Sequence, residues 1–552
     1  MTTGRRAFLL TAACVAVSAI MAGPFFNYSA AATAIYGGDA RLVLWTLAWD
    51  NHAVLSRVPL FDSNIFYPAP HSLVYNEHLF GVSLFSLPIY ALTRNPVLAY
   101  NLLWWVSFPL NLGAMFALLR RHVDGDIAAF GGACLYTFSF YKMLHAYGHL
   151  HLLWTWLLPL SIVLLERWTE QPTLLRAVAW GASILLQSLA SWYLAVMIFV
   201  AHIPVALFIG SEWLRRERAR HMWQLAVALT IVALIVWPFA KPYLILPHAG
   251  LREIASFSAD RYSYLLPPVN TVAGRLWARH APLPWMREAQ RSIWGEQTLF
   301  IGYAAIVLAA VGVLSLARHR RWRLLGTYLT MAVLALLLSF GPSLNGGWTV
   351  FTLLGHVPGL GAFRAPARFA LLVLLGLSML AAHGLRAVEK RAGRLRWAAT
   401  PLIVLLMLIE WYPVDVPGGK PQPAPIPEVY RLPAIRDARA IVSLPDYRGT
   451  AEWYMGADYL YYSTAHWRPI VNGFGRTEPP GFGHEISHMM AFPGPNNART
   501  MRDLGVDLIV FHAARAAGGA ATAALATRMN DYELVARAGD DYVFRVRPLP
   551  SR

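Results

Sequence analysis

YGGDARLVLWTLAWDNH at residues 36–52, FDSNIFYPAPH at 61–71 and YNEHLFG at 75–81 make up the stretch whose reading decides the rest. It follows directly on the first apolar segment, which puts it at a membrane surface. Gly38-Asp39 is a helix-start signal, because an Asp there can accept from backbone N–H groups left unpaired in the first turn. Behind it Leu42, Trp45 and Trp49 recur at helical spacing, while Arg41, Asp50 and Asn51 take the other face. The pattern predicts a short amphipathic helix lying in the interface, its tryptophans at headgroup depth. Glu77-His78 reads as a second, acid-bearing helix start. Acids are scarce at a bilayer edge, so Asp39 and Glu77 stand as candidate chemical groups. The plain alternatives are a helix cap and a solvated loop acid.

Composition fixes the class around that stretch. Of 552 residues 57% are apolar and only 14% charged, with a mean hydropathy of +0.43, where a soluble chain carries about a quarter charged residues. This describes an integral membrane protein. The net charge of +17 does not indicate nucleic-acid binding, because the arginines fall in short clusters between apolar runs, where they set orientation. The two cysteines, Cys14 and Cys134, lie in apolar segments and offer neither a disulfide framework nor a cysteine metal site.

Apolar runs recur at 7–26, 97–119, 126–143, 151–167, 174–191, 193–210, 222–240, 297–316, 324–340, 367–385 and 397–412, which gives eleven expected spans. The amino end, TGRRAFLLTAA, resembles a twin-arginine export signal but reads better as an uncleaved first span. With a cytoplasmic amino end, Arg120-Arg121 and the clusters at 215–220, 318–323 and 386–396 all fall inside. The apolar run 78–92 contains Pro88 and would invert this agreement, so it is expected to be re-entrant or interfacial. The expected organisation is a membrane domain at 1–412, with a first outer loop at 27–96. A proline-rich linker at 413–425 leads to an extracytoplasmic α/β domain at 426–552. In that domain 440–444, 506–511, 532–536 and 542–546 read as strands and 513–529 as a helix.

Further polar groups gather on the outer side. HAYGHLH supplies His145, His149 and His151, whose spacings of four and two can bring imidazoles together to bind a metal, donate to phosphate or shuttle protons. GLREIASFSADRYSYLLPP at 250–268 places Arg252 and Arg261 where the positive-inside rule does not explain them. FRAPARF at 363–369 sets Arg364 and Arg368 four apart, on one face at the start of a span. Guanidinium forks suit phosphate; the alternative is anchoring to lipid headgroups. His484-Glu485-Ile486-Ser487-His488 matches the HExxH helix of zinc peptidases, yet glycines and a proline flank it closely and no third ligand follows in the expected place.

Taken together, GGDA at 37–40, Glu77-His78, the span pattern and the outer domain resemble the GT-C superfamily of membrane glycosyltransferases. FYP, NEH, SYLLPP and FRAPARF are similar to segments of a poorly assigned bacterial branch of it. The resemblance implies a multi-pass protein of the bacterial inner (cytoplasmic) membrane. It would move a sugar from a polyprenyl-phosphate donor to a glycan, lipid or protein acceptor on the extracytoplasmic face. It maps the first-loop acid onto Asp39, as base, with Glu77 and His78 orienting it or binding acceptor. Arg252, Arg261, Arg364 and Arg368 would hold the donor phosphate, assisted by a divalent metal (Mg or Mn). Where the family often carries a second acid, this chain has His145, His149 and His151. The competing class is a non-enzymatic lipid or polysaccharide exporter, which would carry charged or broken helices near the bilayer midplane.

Overall fold

The computed structural model describes residues 3–213, 215–247, 249–281, 283–293, 295–342, 349–354, 363–416, 419–447, 450, 452–475, 477–489 and 491–548. A helix occupies each of the eleven expected segments. Among the described residues seven helical segments are long and apolar enough to cross a membrane: Phe8–Phe25, Pro96–Arg120, Leu150–Glu170, Trp192–Trp213, Met222–Ile245, Trp322–Ser339 and Pro366–Arg391. The other four expected segments form shorter helices, among them Leu174–Ala190 and Tyr303–Arg318.

Cα packing divides the chain into two compact units. The first comprises Met1–Tyr28, Leu102–Lys241 and Pro247–Pro421; the second comprises Ser29–Asn101, Pro242–Leu246 and Gln422–Arg552. The first unit is a helical bundle organised on Ala370–Arg391, which is buried along nearly its whole length. Glycine makes that burial possible. A Cβ on Gly312 would lie 1.8 Å from the Leu380 carbonyl oxygen, and one on Gly384 would lie 1.8 Å from that of Leu308. The two helices therefore touch backbone to backbone, the packing that small residues permit where no hydrophobic effect drives association.

The second unit joins Ser29–Asn101 to the carboxyl-terminal region. Strand β1 (Ala34–Ile35) pairs antiparallel with β2 (Gln422–Pro423), so the end of the expected linker is itself held in a ladder. A four-stranded sheet contains β3 (Ile441–Leu444), β4 (Leu508–His512), β5 (Tyr532–Ala538) and β6 (Asp541–Val546) in the order β3-β4-β6-β5. β3 and β4 run parallel, with helices Gly456–Ser463, Phe482–Met489 and Pro495–Leu504 in the crossover. The β5–β6 hairpin turns through Gly539 at φ +61, a conformation glycine takes without strain. Of the alanine-rich stretch only Gly519–Ala526 is α-helical.

The amphipathic reading of the first loop is corrected here. A helix does begin at Asp39 and runs to Ser56, but Trp45, Trp49, Asp50 and Asn51 are all buried within the unit. The helix Phe80–Thr93 covers one side, where Ser83 Oγ donates to Asp50 at 2.6 Å and Asn51 Nδ2 donates to Ser86 Oγ at 2.7 Å. On another side Arg41 ion-pairs with Asp458 of the helix Gly456–Ser463. Trp45 and Trp49 donate to Asn64 Oδ1 (3.2 Å) and to the Leu60 carbonyl (2.7 Å). Protein rather than lipid satisfies both faces, so the tryptophans do not reach a headgroup layer.

Candidate functional site

In the first unit the helix Asp126–Phe138 breaks at Ser139 and resumes as Phe140–His145. The chain then turns through Gly148 and enters a short helix, Leu150–Leu153. His149 N–H donates to the His145 carbonyl at 2.9 Å, closing one helical turn. That turn brings the two Nδ1 atoms to 3.4 Å, with ring centroids 5.1 Å apart, and places the His151 ring 5.7 Å from that of His149. The spacing of four and two thus gathers all three imidazoles. The preceding turn carries Lys142, which is buried and held by Thr155 Oγ1, with Asn111 Oδ1 and the Leu153 carbonyl each at 3.5 Å.

The partner of this turn is Glu296, on a 3-10 turn opened by Gly295 at φ +52. Its Oε2 lies 3.4 Å from His145 Nε2. Its Oε1 accepts from Arg368 Nε at 3.0 Å and from Nη2 at 2.6 Å, and the guanidinium lies 4.2 Å over the Tyr193 ring. Burial raises the cost of the Glu296 charge, but Arg368 and His145 beside it outweigh that and hold the carboxyl well below its usual range. Burial pushes His145 down to about 4, against the opposing pull of Glu296. Around neutral pH the cluster is therefore a neutral imidazole, a carboxylate and a guanidinium.

Such a set fits a divalent cation. His145, His149 and Glu296 each offer one ligand atom, all within 4.8 Å of one another, so small side-chain rotations would bring them onto one ion at bonds of roughly 2.0–2.2 Å. Arg368 ties one carboxylate oxygen and leaves the other toward His145, the arrangement by which an outer partner orients a ligand. Two imidazoles with one carboxylate suit manganese or zinc better than magnesium, which prefers oxygen ligands and water.

The other three arginines expected to hold phosphate do not join this cluster as the sequence suggested. Arg364 precedes the 3-10 helix Pro366–Phe369 that holds Arg368, so the two do not share a helix face. Arg364 pairs instead with Glu253 at 2.7 Å and lies over Phe257. Carboxylates thus already answer two of the four guanidiniums. Arg252 and Arg261 are exposed, Arg261 lying 4.7 Å over the Tyr262 ring.

The first-loop acids belong to the second unit. Asp39 is the first residue of its helix, half-buried, while Gly38 at φ +57 takes the cap position without a side-chain hydrogen bond. Asp39 is thus not the N-cap, although an acid in the first turn still suits the helix dipole. Its charge bears on Tyr100. Glu77 is half-buried, whereas His78 is fully buried. The backbone N–H of His78 donates to Tyr243 Oη at 2.8 Å, and that hydroxyl donates to the Asn76 carbonyl at 2.9 Å. Burial lowers His78 to about 3, so it is a neutral packing group and not a surface acid–base.

Sequence reasoning missed Glu296 and Tyr193. Glu296 stands in WGEQTLF, just before an expected span, and an acid at that position on the outer side was the available signal. The HExxH segment forms the two-turn helix Phe482–Met489, with the His484 and His488 rings 4.6 Å apart. Among the described residues no third ligand group joins them.

No curated protein matches the chain in sequence. In fold it is similar to the oligosaccharyltransferase of Archaeoglobus fulgidus solved with zinc and sulfate. That likeness has a TM-score of 0.51 at 14% identity and covers 91% of this chain and 68% of that one. The same organism's oligosaccharyltransferase AglB, in complex with an inhibitory peptide and a dolichol-phosphate, gives a TM-score of 0.51 at 14% identity, covering 92% and 69%. ArnT from Cupriavidus metallidurans is a looser neighbour, with a TM-score of 0.41 at 13% identity covering 99% and 98%. At these identities the likeness to the oligosaccharyltransferase is one of fold alone. Residues 9–414 match the profile of the family described as a domain of unknown function (DUF6311), and the chain belongs to that family.

Proposed function

We propose that this protein is a membrane glycosyltransferase that takes a sugar from a polyprenyl-phosphate donor and passes it to a glycan, lipid or protein acceptor on the extracytoplasmic face. The observation that carries the reading is the His145–His149–Glu296–Arg368 cluster in a chain with the fold of an oligosaccharyltransferase. The reading keeps eleven spans, a cytoplasmic amino end, an extracytoplasmic carboxyl-terminal region and a bacterial inner membrane, as the arginine clusters favour.

In the reaction the acceptor hydroxyl attacks the anomeric carbon, the bond from that carbon to the phosphate oxygen breaks, and polyprenyl phosphate leaves. Asp39 receives the hydroxyl proton. Glu77 contacts acceptor, and His78 positions that segment from within the fold rather than touching it. Arg252 and Arg261 take the donor phosphate, because Arg364 and Arg368 are engaged by Glu253 and Glu296. A divalent ion on His145, His149 and Glu296 would supply positive charge to the leaving phosphate. His151 sets the orientation of His149.

Two measurements test this. Asp39→Asn in the purified full chain is expected to lose transfer by about a hundredfold or more while donor still binds; near-normal turnover would reduce Asp39 to a helix-start residue. Arg252→Lys and Arg261→Lys keep the charge but lose the fork, so each is expected to weaken binding of a polyprenyl-phosphate sugar. Parent-like affinity in both would return these arginines to headgroup anchoring.

A further inference from the structure

Two large aromatic side chains of the second unit are held open beside the first-loop acids. Trp453 is 52% exposed and Tyr454 47% exposed, on the 3-10 turn Trp453–Met455. The turn is tied down: Trp453 N–H donates to the Thr450 carbonyl at 3.3 Å, and Met455 N–H donates to that of Glu452 at 2.8 Å. Trp453 stacks on Phe474, with centroids 5.1 Å apart and planes within 8°, and Phe474 itself is buried. One indole face is therefore covered, and the exposure belongs to the other face and the edge.

This pair is linked to both acids. Tyr454 Cβ lies 3.5 Å from where a Cβ on Gly38 would stand, so Tyr454 packs on the residue preceding Asp39. Asn76 Nδ2 donates to the Phe474 carbonyl at 3.0 Å, which fastens the residue preceding Glu77 to the base of the stack. Glu452, next to Trp453, is an exposed third carboxylate.

A flat aromatic face, with an exposed carboxylate on the adjoining Glu452 and two more acids one residue along the chain from its contacts, is chemistry that suits a pyranose. The ring's axial C–H bonds point at the negative π face while its hydroxyls donate to the carboxylates. A membrane-dipping tip would carry a cation, which suits anionic headgroups, where this one carries the exposed acid Glu452 next to Trp453. We infer that Trp453 and Tyr454 form a sugar-binding platform that seats a hexopyranose ring next to Asp39 and Glu77. The inference rests on the glycosyltransferase reading and adds to it where the sugar lies. The ring belongs either to a free glycan acceptor or to the lipid-linked donor.

The test uses the full chain in nanodiscs and saturation-transfer NMR with two kinds of probe. Cellohexaose and maltohexaose report an acceptor-type site, and a short-chain polyprenyl-phosphoryl glucose reports a donor-type one. The parent is expected to saturate pyranose C–H protons of at least one kind. Trp453→Ala should weaken that binding about tenfold, and Trp453→Tyr, which keeps an aromatic face, should retain most of it. Loss with the hexaoses assigns the acceptor, and loss with the lipid-linked sugar assigns the donor. Binding of neither probe by the parent, or equal binding by Trp453→Ala, overturns the platform. So does quenching by doxyl lipids of a bimane placed on Trp453→Cys, which would put the turn in the bilayer. Loss of transfer in Asp39→Asn with unchanged sugar binding in Trp453→Ala would leave the glycosyltransferase reading standing and remove only the platform.

Discussion

Glu296 of the helical unit and Asp50 of the sheet-bearing unit are both carboxylates withdrawn from water, the first with a side chain 10% exposed and the second fully buried. Glu296 meets a guanidinium at 2.6 Å and an imidazole at 3.4 Å. Asp50 meets a hydroxyl, Ser83 Oγ, at 2.6 Å and the Leu79 backbone, and among the described residues no cation pairs with it. The outcomes differ accordingly. Arg368 and His145 hold Glu296 ionised, while burial pushes Asp50 up to about 7, with Ser83 only partly opposing it. Similar burial thus gives a charge available to a ligand in one place and an acid close to neutrality in the other. Net charge at a buried site follows the partner, and partners of opposite sign mark the place where a fold keeps a charge for use.

The largest effect should come from removing the partner that makes Glu296 different. Arg368→Met leaves a buried carboxylate without its cation and is expected to cost about 3–5 kcal/mol, read by denaturant titration in detergent micelles. The double variant with Glu296→Gln should recover most of that loss. If Arg368→Met costs under about 1 kcal/mol, Glu296 does not depend on this partner and the contrast with Asp50 dissolves.

A smaller effect separates the two carboxylates by function. Calorimetric titration of the parent with manganese or zinc is expected to show a site that His145→Ala or Glu296→Gln weakens about 10–100-fold. Asp50→Asn should leave that affinity where it was. Equal affinity in the parent and His145→Ala would remove the metal assignment while keeping the ion pair.

The helices and most strands were legible because apolar run length and alternation are local signals. β3 to β6 lie within a few residues of the stretches read as strands, and Phe80–Thr93 is a helix on the run 78–92. The histidine turn was legible for the same reason, since a spacing of four is one helical turn. What failed depended on distant chain. Trp45 and Trp49 carry the pattern of an interfacial helix, and nothing nearby says that Gly456–Ser463, some four hundred residues on, covers it. Arg364 and Arg368 looked like one helical face, but Pro366 starts a new turn between them and each finds its own glutamate. Glu296 was missed because a lone acid in a loop has no period, and only the fold brings it to His145.

The smallest effect sets Asp50 against a second buried titratable group of the same unit, His78. Burial raises Asp50 in the folded chain to about 7 from an ordinary value of 3.8, so between those values the folded state holds more protons than the unfolded one. Stability from this group is complete at low pH and is lost as pH rises toward 7. His78 is displaced the other way, to about 3 from 6.5, so the folded state holds fewer protons there, and stability is lost as pH falls below 6.5. Each slope is at most about 1.4 kcal/mol per pH unit, and from roughly pH 4 to 6.5 they run against each other, leaving the parent nearly flat. Asp50→Asn should uncover the histidine, with stability rising with pH across that window. His78→Gln should uncover the acid, with stability falling across it and on to pH 7. Unfolding titrations at half-unit steps would show the two variants tilting in opposite directions. If both track the parent, neither group is as fully removed from water as its surroundings indicate, and the contrast between a paired and an unpaired buried carboxylate rests on Glu296 alone.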